Sequence, residues 1–247
     1  MLEPFFNIGH RGSPLRAPEN TMASFLQAQL DGANWIEFDI RLSADNKIVV
    51  IHDSKLNRTA KKPGIVKNMT LKQLVSYEVG SWFHEDFSDE KIPTLEEVFL
   101  ALPYMGFNIE IKATGLEKHL AKQLMQFPEH QVLVSCFMFQ PLRNLKKLIP
   151  DINTGILFQR KMGWKRKLDL AKKYGLYSIH PEQSIISDEM LMYAQKLELE
   201  VIPWNIHPYH EGRLRQLLSL PIRGLINDMP LAIQYHQELL SISRSST

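Results

Sequence analysis

Apolar and polar residues alternate strictly along Ile36-Glu37-Phe38-Asp39-Ile40-Arg41, the period of a β-strand, so Glu37 and Asp39 project from one face and Ile36, Phe38 and Ile40 from the other. Phe107-Asn108-Ile109-Glu110-Ile111-Lys112 repeats the pattern, with Glu110 and Lys112 together on one face. Further β-like runs lie at residues 5–8, 47–53, 132–137, 154–159, 176–180, 200–205 and 224–227. Helical spacing separates most of them. Residues 19–31 carry Met22, Phe25, Leu26 and Leu30 on one predicted face, with Gly32 placed as a stop. Thr94 and Glu97 form a capping box at another helix start, and further helices are predicted near 116–127 and 142–148. The count is about eight strand and helix units in 247 residues, the number and length of a closed (β/α)8 barrel of the α/β class.

Two arrangements produce the alternation around Glu37. An antiparallel strand with one wet face is the commoner source. A barrel strand whose apolar face meets an outer helix, with its carboxylates turned into the barrel mouth, is the other. Intervening helices imply parallel strands, which are covered on both faces, so the repetition at Glu110 favours the barrel. Three carboxylates converging in a mouth repel one another and are costly to desolvate, which calls for a cation. Oxygen ligands suit a hard divalent metal, Mg2+ or Ca2+.

The rhythm breaks at residues 54–91, where Pro63, Gly64, Gly80, Glu85-Asp86 and the aromatics Trp82, Phe83 and Phe87 suggest an insertion over the mouth; a surface excursion without function is the alternative. Residues 1–247 otherwise read as a single domain. The turn-like Ser43-Ala44-Asp45-Asn46 suggests that the runs before and after it pair as a hairpin.

Charge and cysteine content narrow the partners. Twenty-nine basic and 27 acidic side chains give a net +2, too little to attract nucleic acid without a local stripe. The one strong basic run, residues 160–167, reads as a solvated helix face in preference to an anionic head-group site. A single cysteine, Cys136, excludes an intramolecular disulfide and fits a reducing compartment. The start lacks a basic region ahead of an apolar core, and no run approaches the ~18 apolar residues that span a bilayer. The expectation is a soluble cytoplasmic protein with no stable membrane insertion; no oligomeric state is indicated.

Ordered motifs add a resemblance. His10-Arg11-Gly12, Pro18-Glu19-Asn20-Thr21, Glu37-Phe38-Asp39, His52-Asp53, Arg58-Thr59, Ile92-Pro93-Thr94-Leu95-Glu96-Glu97 and Ile109-Glu110-Ile111-Lys112 together resemble the glycerophosphodiester phosphodiesterase family over nearly the whole chain. The resemblance implies a TIM barrel with a small insertion after the His52-Asp53 strand. It also implies metal-dependent hydrolysis of a small-molecule glycerophosphodiester to glycerol 3-phosphate and an alcohol. Glu37, Asp39 and Glu110 are then the metal ligands, His10 and His52 the acid and base pair, and Arg11 and Lys112 the phosphate binders. Phe137 and Trp204 are candidates for the substrate pocket, with core packing as their alternative role. Trp204-Asn205-Ile206-His207, Asn227-Asp228 and Cys136 depart from the family pattern and leave the alcohol side of the pocket open. Two rivals stand beside this reading: a phospholipase C or sphingomyelinase D kind of phosphodiesterase on a similar barrel, and a catalytically silent binding barrel.

Overall fold

The computed structural model describes residues 5–206 and 211–236, so His207 lies outside the described residues. Nine strands, eight of them parallel, run along the described chain with helices between most of them: β1 (Phe6–His10), α1 (Met22–Leu30), β2 (Trp35–Leu42), β3 (Ile48–Val50), α2 (Leu71–Leu74), α3 (Leu95–Ala101), β4 (Gly106–Ile111), α4 (Glu117–Leu124), β5 (Val132–Cys136), α5 (Phe139–Leu148), β6 (Asn153–Phe158), α6 (Trp164–Lys173), β7 (Ser178–Pro181), α7 (Asp188–Lys196), β8 (Glu200–Val201), α8 (Glu211–Leu218) and β9 (Gly224–Asn227). The strand order is β8-β7-β6-β5-β4-β2-β1-β9. β3 stands outside this ring and pairs antiparallel with β2, Ile40 opposite Val50, as the turn at Ser43 predicts.

The ring is drawn shut by sparse bonds between the chain after β8 and β9. Arg223 and Ile226 donate their amides to the carbonyls of Val201 and Pro203, both at 2.9 Å, and Ile206 bridges to Asn227. The fold is a (β/α)8 barrel, as expected.

The period-2 pattern divides the side chains into two cores. Ile36, Phe38, Ile40, Phe107, Ile109 and Ile111 point outward and pack with helix residues such as Phe25, Ala28, Val98 and Phe99. Full burial of one such side chain contributes about 1.5–3 kcal/mol. Inside the barrel, Phe6, Ile8, Trp35, Leu133, Ile202 and Ile226 fill the lower half. The upper half is left to polar side chains.

The predicted helix at 19–31 is shorter and differently faced. It starts at Met22, capped by the Thr21 hydroxyl accepting from the Ser24 amide, and its buried face is Ser24, Phe25 and Ala28. Leu26 and Leu30 are 44% and 79% exposed. The reason is local: Ser24 must lie against the loop after β1, which turns Phe25 and Ala28, instead of the leucines, towards the sheet. The Thr94–Glu97 capping box forms as predicted at α3.

The stretch after His52 carries a small core of its own, Leu56, Ala60, Val66, Leu74 and Val79 against Val49, Ile51 and Ile92. Trp82, Phe83 and Phe87 stack edge to face on one another. The basic run is divided between an exposed loop and the start of α6, whose Trp164, Leu168 and Ala171 form a buried stripe. No helix among the described residues is long and apolar enough to cross a membrane.

Candidate active site at the barrel mouth

The loop after β1 is built for close approach. A Cβ on Gly9 would lie 2.4 Å from the Gly12 carbonyl oxygen, and one on Gly12, at φ +95°, would lie 2.6 Å from the Ser24 carbonyl oxygen. Between them Arg11 takes a positive φ of 55°, which aims its amide at Glu37 Oε2 at 2.9 Å. Asn20, at φ 57° in a region asparagine tolerates, accepts from the Asp39 amide at 3.2 Å and donates Nδ2 to Asp39 Oδ2 at 2.8 Å. Glu19 accepts from Arg11 at 2.8 Å and from both terminal nitrogens of Arg58. The Pro18-Glu19-Asn20-Thr21 motif therefore does four structural jobs, ending with the helix cap.

Glu37, Asp39 and Glu110 come together as expected. Asp39 and Glu110 are register partners on adjacent strands, and one oxygen from each of the three carboxylates lies within 4.8 Å of the others. All three are buried, and Glu37 Oε1 has no hydrogen-bond partner. Lys112 Nζ lies 2.5 Å from Glu110 Oε1 and 3.1 Å from Asp39 Oδ1, while Arg11 Nε lies 3.2 Å from Asp39 Oδ2. Burial and then the neighbouring Asp39 and Glu110 charges push the Glu37 carboxyl well up; burial and Asp39 raise Glu110 to about 7. Burial pushes Asp39 up as well, but Lys112 and Arg11 outweigh it and hold the group at about 2. Two cations facing three buried carboxylates leave the cluster short of positive charge. An orphaned carboxylate oxygen and a set of hard oxygen donors fit a divalent ion at this place.

Both histidines are backed by a carboxylate. His10 Nδ1 is 2.7 Å from Asp228 Oδ1, and His52 Nδ1 is 2.7 Å from Asp53 Oδ1. Nε2 is then the ring nitrogen each offers to a ligand. Arg58 donates to Asp53 at 2.7 Å, and Arg41 Nε donates to the His52 carbonyl at 2.8 Å, so the segment carrying His52 is anchored on two sides. Burial lowers the His52 pKa, against the opposing pull of Asp39.

His10, Arg11, Glu37, His52, Glu110 and Lys112 line one cavity of about 140 Å3 with Phe137, Trp204, Asn108, Ser135, Leu157 and Ile226. Phe137 and Trp204 meet edge to face at 5.6 Å and line the pocket, and Trp204 Nε1 donates to the His180 carbonyl at 3.1 Å. A larger cavity of about 630 Å3 opens around Phe6, Trp35 and Leu133, but it contains neither the carboxylate cluster nor the paired histidines. Chemistry, rather than volume, marks the smaller one.

Sequence reasoning missed Asp228, Asn20, Glu19 and Arg58 as supports of the site. Asp228 carries no local signal, since its partner His10 is 218 positions away.

A family model described as the Glycerophosphoryl diester phosphodiesterase family matches residues 10–232. A glycerophosphodiester phosphodiesterase of Caldanaerobacter subterraneus is 34% identical over 231 residues, covering 90% of this chain and 93% of the relative. One from Bacillus altitudinis is 31% identical over 247 residues, covering 94% and 98%. Among solved structures, an Oleispira antarctica phosphodiesterase in complex with the product sn-glycerol-3-phosphate superposes with a TM-score of 0.85 at 29% identity, covering 95% of this chain and 97% of that one. The family-model match over most of the chain, relatives above 30% identity over nine-tenths of it and a shared barrel meet in one conclusion: this chain belongs to the glycerophosphoryl diester phosphodiesterase family of hydrolases.

Proposed function

We propose that this chain hydrolyses glycerophosphodiesters to glycerol 3-phosphate and a free alcohol, with a divalent ion held by Glu37, Asp39 and Glu110 and with His10 and His52 as the proton-transfer pair. The observation that carries the reading is a cluster of three buried carboxylates, two of which, Glu37 and Glu110, line one small pocket together with two carboxylate-backed histidines. A bound Mg2+ or Ca2+ supplies positive charge against the phosphoryl oxygens. Arg11 and Lys112 add two fixed cations beside it, offsetting the charge that builds on the diester in the transition state. One histidine takes a proton from the attacking oxygen, and the other returns one to the departing alcohol.

The attacking oxygen on this reading is the glycerol hydroxyl next to the ester carbon. Its oxygen forms a bond to phosphorus as the phosphorus–alcohol bond breaks, and water then opens the cyclic phosphate. Phe137 and Trp204, at the open side, receive the alcohol half.

The silent-barrel alternative is disfavoured by the carboxylates behind both histidines, since a mere binding barrel gains nothing from two oriented imidazoles. A lipid-surface phosphodiesterase is disfavoured by the size of the pocket, below the ~300–1,000 Å3 of sites that enclose a whole drug-sized ligand. The test is a coupled glycerol 3-phosphate assay over diesters of choline, ethanolamine, glycerol and inositol, with and without chelator. Release of glycerol 3-phosphate that chelator abolishes is expected; release of the phosphorylated alcohol instead overturns the assignment.

A further inference from the structure

Positive charge on this chain is gathered in two places. Eleven of the 29 basic side chains and none of the 27 acidic ones fall within residues 54–77 and 159–168, so everything else carries nine more acidic groups than basic ones. A net charge of +2 conceals that division. Three of the eleven are engaged: Arg58 by Glu19 and Asp53, Lys165 by Glu189, and Lys167 over the Phe158 ring. The other eight are exposed and meet no carboxylate among the described residues. They are Lys55, Lys61, Lys62, Lys67 and Lys72 in the first segment and Arg160, Lys161 and Arg166 in the second.

Both segments leave the barrel at its mouth. The first follows His52, and its Met69 carbonyl and Leu71 amide bond the hairpin turn at Ala44 and Asp45, beyond the C-terminal end of β2. The second follows β6, whose Leu157 lines the active-site cavity. Its sequence suggests a solvated helix face, but α6 begins only at Trp164, which leaves Arg160, Lys161 and Met162 in the loop ahead of it. β4 and β5 stand between β2 and β6 in the sheet, so the two segments bound one arc of the rim, with Met138 between them in the loop after β5. The carboxylates of residues 54–91 all fall within 78–90, where Glu90 reaches the Ala23 amide of α1. Apolar side chains stand among the cations: Met162 is 88% exposed on a loop that turns through Gly163 at φ +76° with open space around it, and Ile65 and Met138 are exposed as well.

We infer that this arc of the rim docks on an anionic lipid bilayer, held by its cations and by shallow entry of Met162, Met138 and Ile65 into the head-group layer. The pocket still takes a water-soluble diester; the arc decides where in the cell the chain works. Near an anionic leaflet each basic side chain adds about fivefold in affinity. Three apolar side chains are far short of the ~20 residues that span a bilayer, so the association is peripheral and reversible. A nucleic-acid backbone would reward the cations alone, whereas a head-group layer rewards the cations and the exposed apolar side chains together.

The experiment sediments the full chain with vesicles of phosphatidylcholine alone or of equal parts phosphatidylcholine and phosphatidylglycerol, which reads binding without reference to catalysis. Binding should require the anionic lipid and weaken by at least about tenfold when added salt shortens the Debye length from about 10 Å to about 3 Å. Lys61→Glu/Lys62→Glu and Arg160→Glu/Lys161→Glu should each weaken it by at least about tenfold. No member of either pair lines the catalytic pocket, so kcat on glycerophosphocholine without vesicles should stay within about twofold and report an intact fold. Orientation is read with a polarity-sensitive dye on Met162→Cys or on Tyr104→Cys, the native Cys136 being buried. Tyr104 is 94% exposed just ahead of β4, at the opposite end of the barrel. Anionic vesicles should shift the emission to the blue at position 162 and leave it unchanged at position 104.

Equal binding to neutral vesicles overturns the inference, and so does charge reversal that leaves binding intact. A blue shift at both positions, or at neither, shows adhesion without this orientation and overturns it too. Tighter binding to duplex DNA than to anionic vesicles assigns the arc to nucleic acid instead. If oriented docking is found while no diester is hydrolysed, the hydrolase reading fails and the docking surface stands.

Discussion

Mild acid should weaken this protein through one histidine that takes no part in the chemistry. His180 projects inward from β7, is 0% exposed, and among the described residues has only Ser178 Oγ, at 2.9 Å, as a side-chain hydrogen-bond partner. Burial drives its pKa from 6.5 down to about 3. An unfolded chain therefore takes up a proton near pH 6.5 that the folded one refuses until about pH 3. The stabilisation is complete above pH 6.5 and is lost as pH falls through that window. Linkage at 1.36 kcal/mol per pH unit makes the loss about 2 kcal/mol at pH 5 and about 3 kcal/mol at pH 4.

Other groups act in the same range with opposite sign. Glu110, raised to about 7, binds a proton in the folded state that the unfolded carboxyl releases, so metal-free protein gains stability from it as pH falls towards 4.5. Subtracting a variant cancels such shared contributions. His180→Asn removes the titration while keeping a side chain that can bond Ser178. Urea unfolding of wild type and variant at half-unit steps from pH 7.5 to 4 gives the difference directly. It should shrink by about 2–3 kcal/mol from the neutral to the acid end. A difference that stays flat with pH would refute the argument. Because the His180 carbonyl holds Trp204 Nε1, the same acid limb should be followed by the fluorescence of that tryptophan wall.

Removing the metal with chelator should abolish activity, and Glu110→Gln should weaken Mg2+ or Ca2+ binding measured by calorimetry; undiminished affinity would contradict the ligand assignment. His10→Ala and His52→Ala should each lower kcat by about 10²–10⁴ on a natural diester, the usual span of acid–base catalysis, while a p-nitrophenyl leaving group makes the acid of the pair nearly dispensable. Arg11→Ala should instead raise KM as well as lower kcat, because a phosphate contact exists before the transition state. Asp228→Asn should lower kcat by about 10- to 100-fold with KM within about threefold, because the carboxylate orients the His10 ring it touches. An unchanged kcat would leave Asp228 a purely structural residue.

The carboxylate cluster could be read from sequence because its signal is local. A period of two places Glu37, Asp39 and Glu110 on defined faces, and the apolar partners on the other faces leave inward as their one direction. Lys112 follows from the same count. The predicted helix start at residue 19 failed because propensity says nothing about distant claims on a side chain: Glu19 and Asn20 are held by Arg58 and Asp39 and so sit in a loop. Leu26 and Leu30 fit a helical stripe but were displaced from the interior by Ser24, whose hydroxyl bonds the Arg11 carbonyl at 2.9 Å.

The pairing of the first strand with the last described one also sets a clock. β1 is made first and β9 last, yet β9 both pairs with β1 and carries the chain to Asp228, the partner of His10. At about 5–20 residues per second, the 218 positions between His10 and Asp228 take roughly 10–40 s to synthesise. During that time β1 exposes an unpaired edge, and such non-local closure is the slow kind in folding. A ribosome-bound chain that already displays its complete carboxylate cluster therefore has an unoriented His10, and the last strand to emerge is the one that finishes the active site.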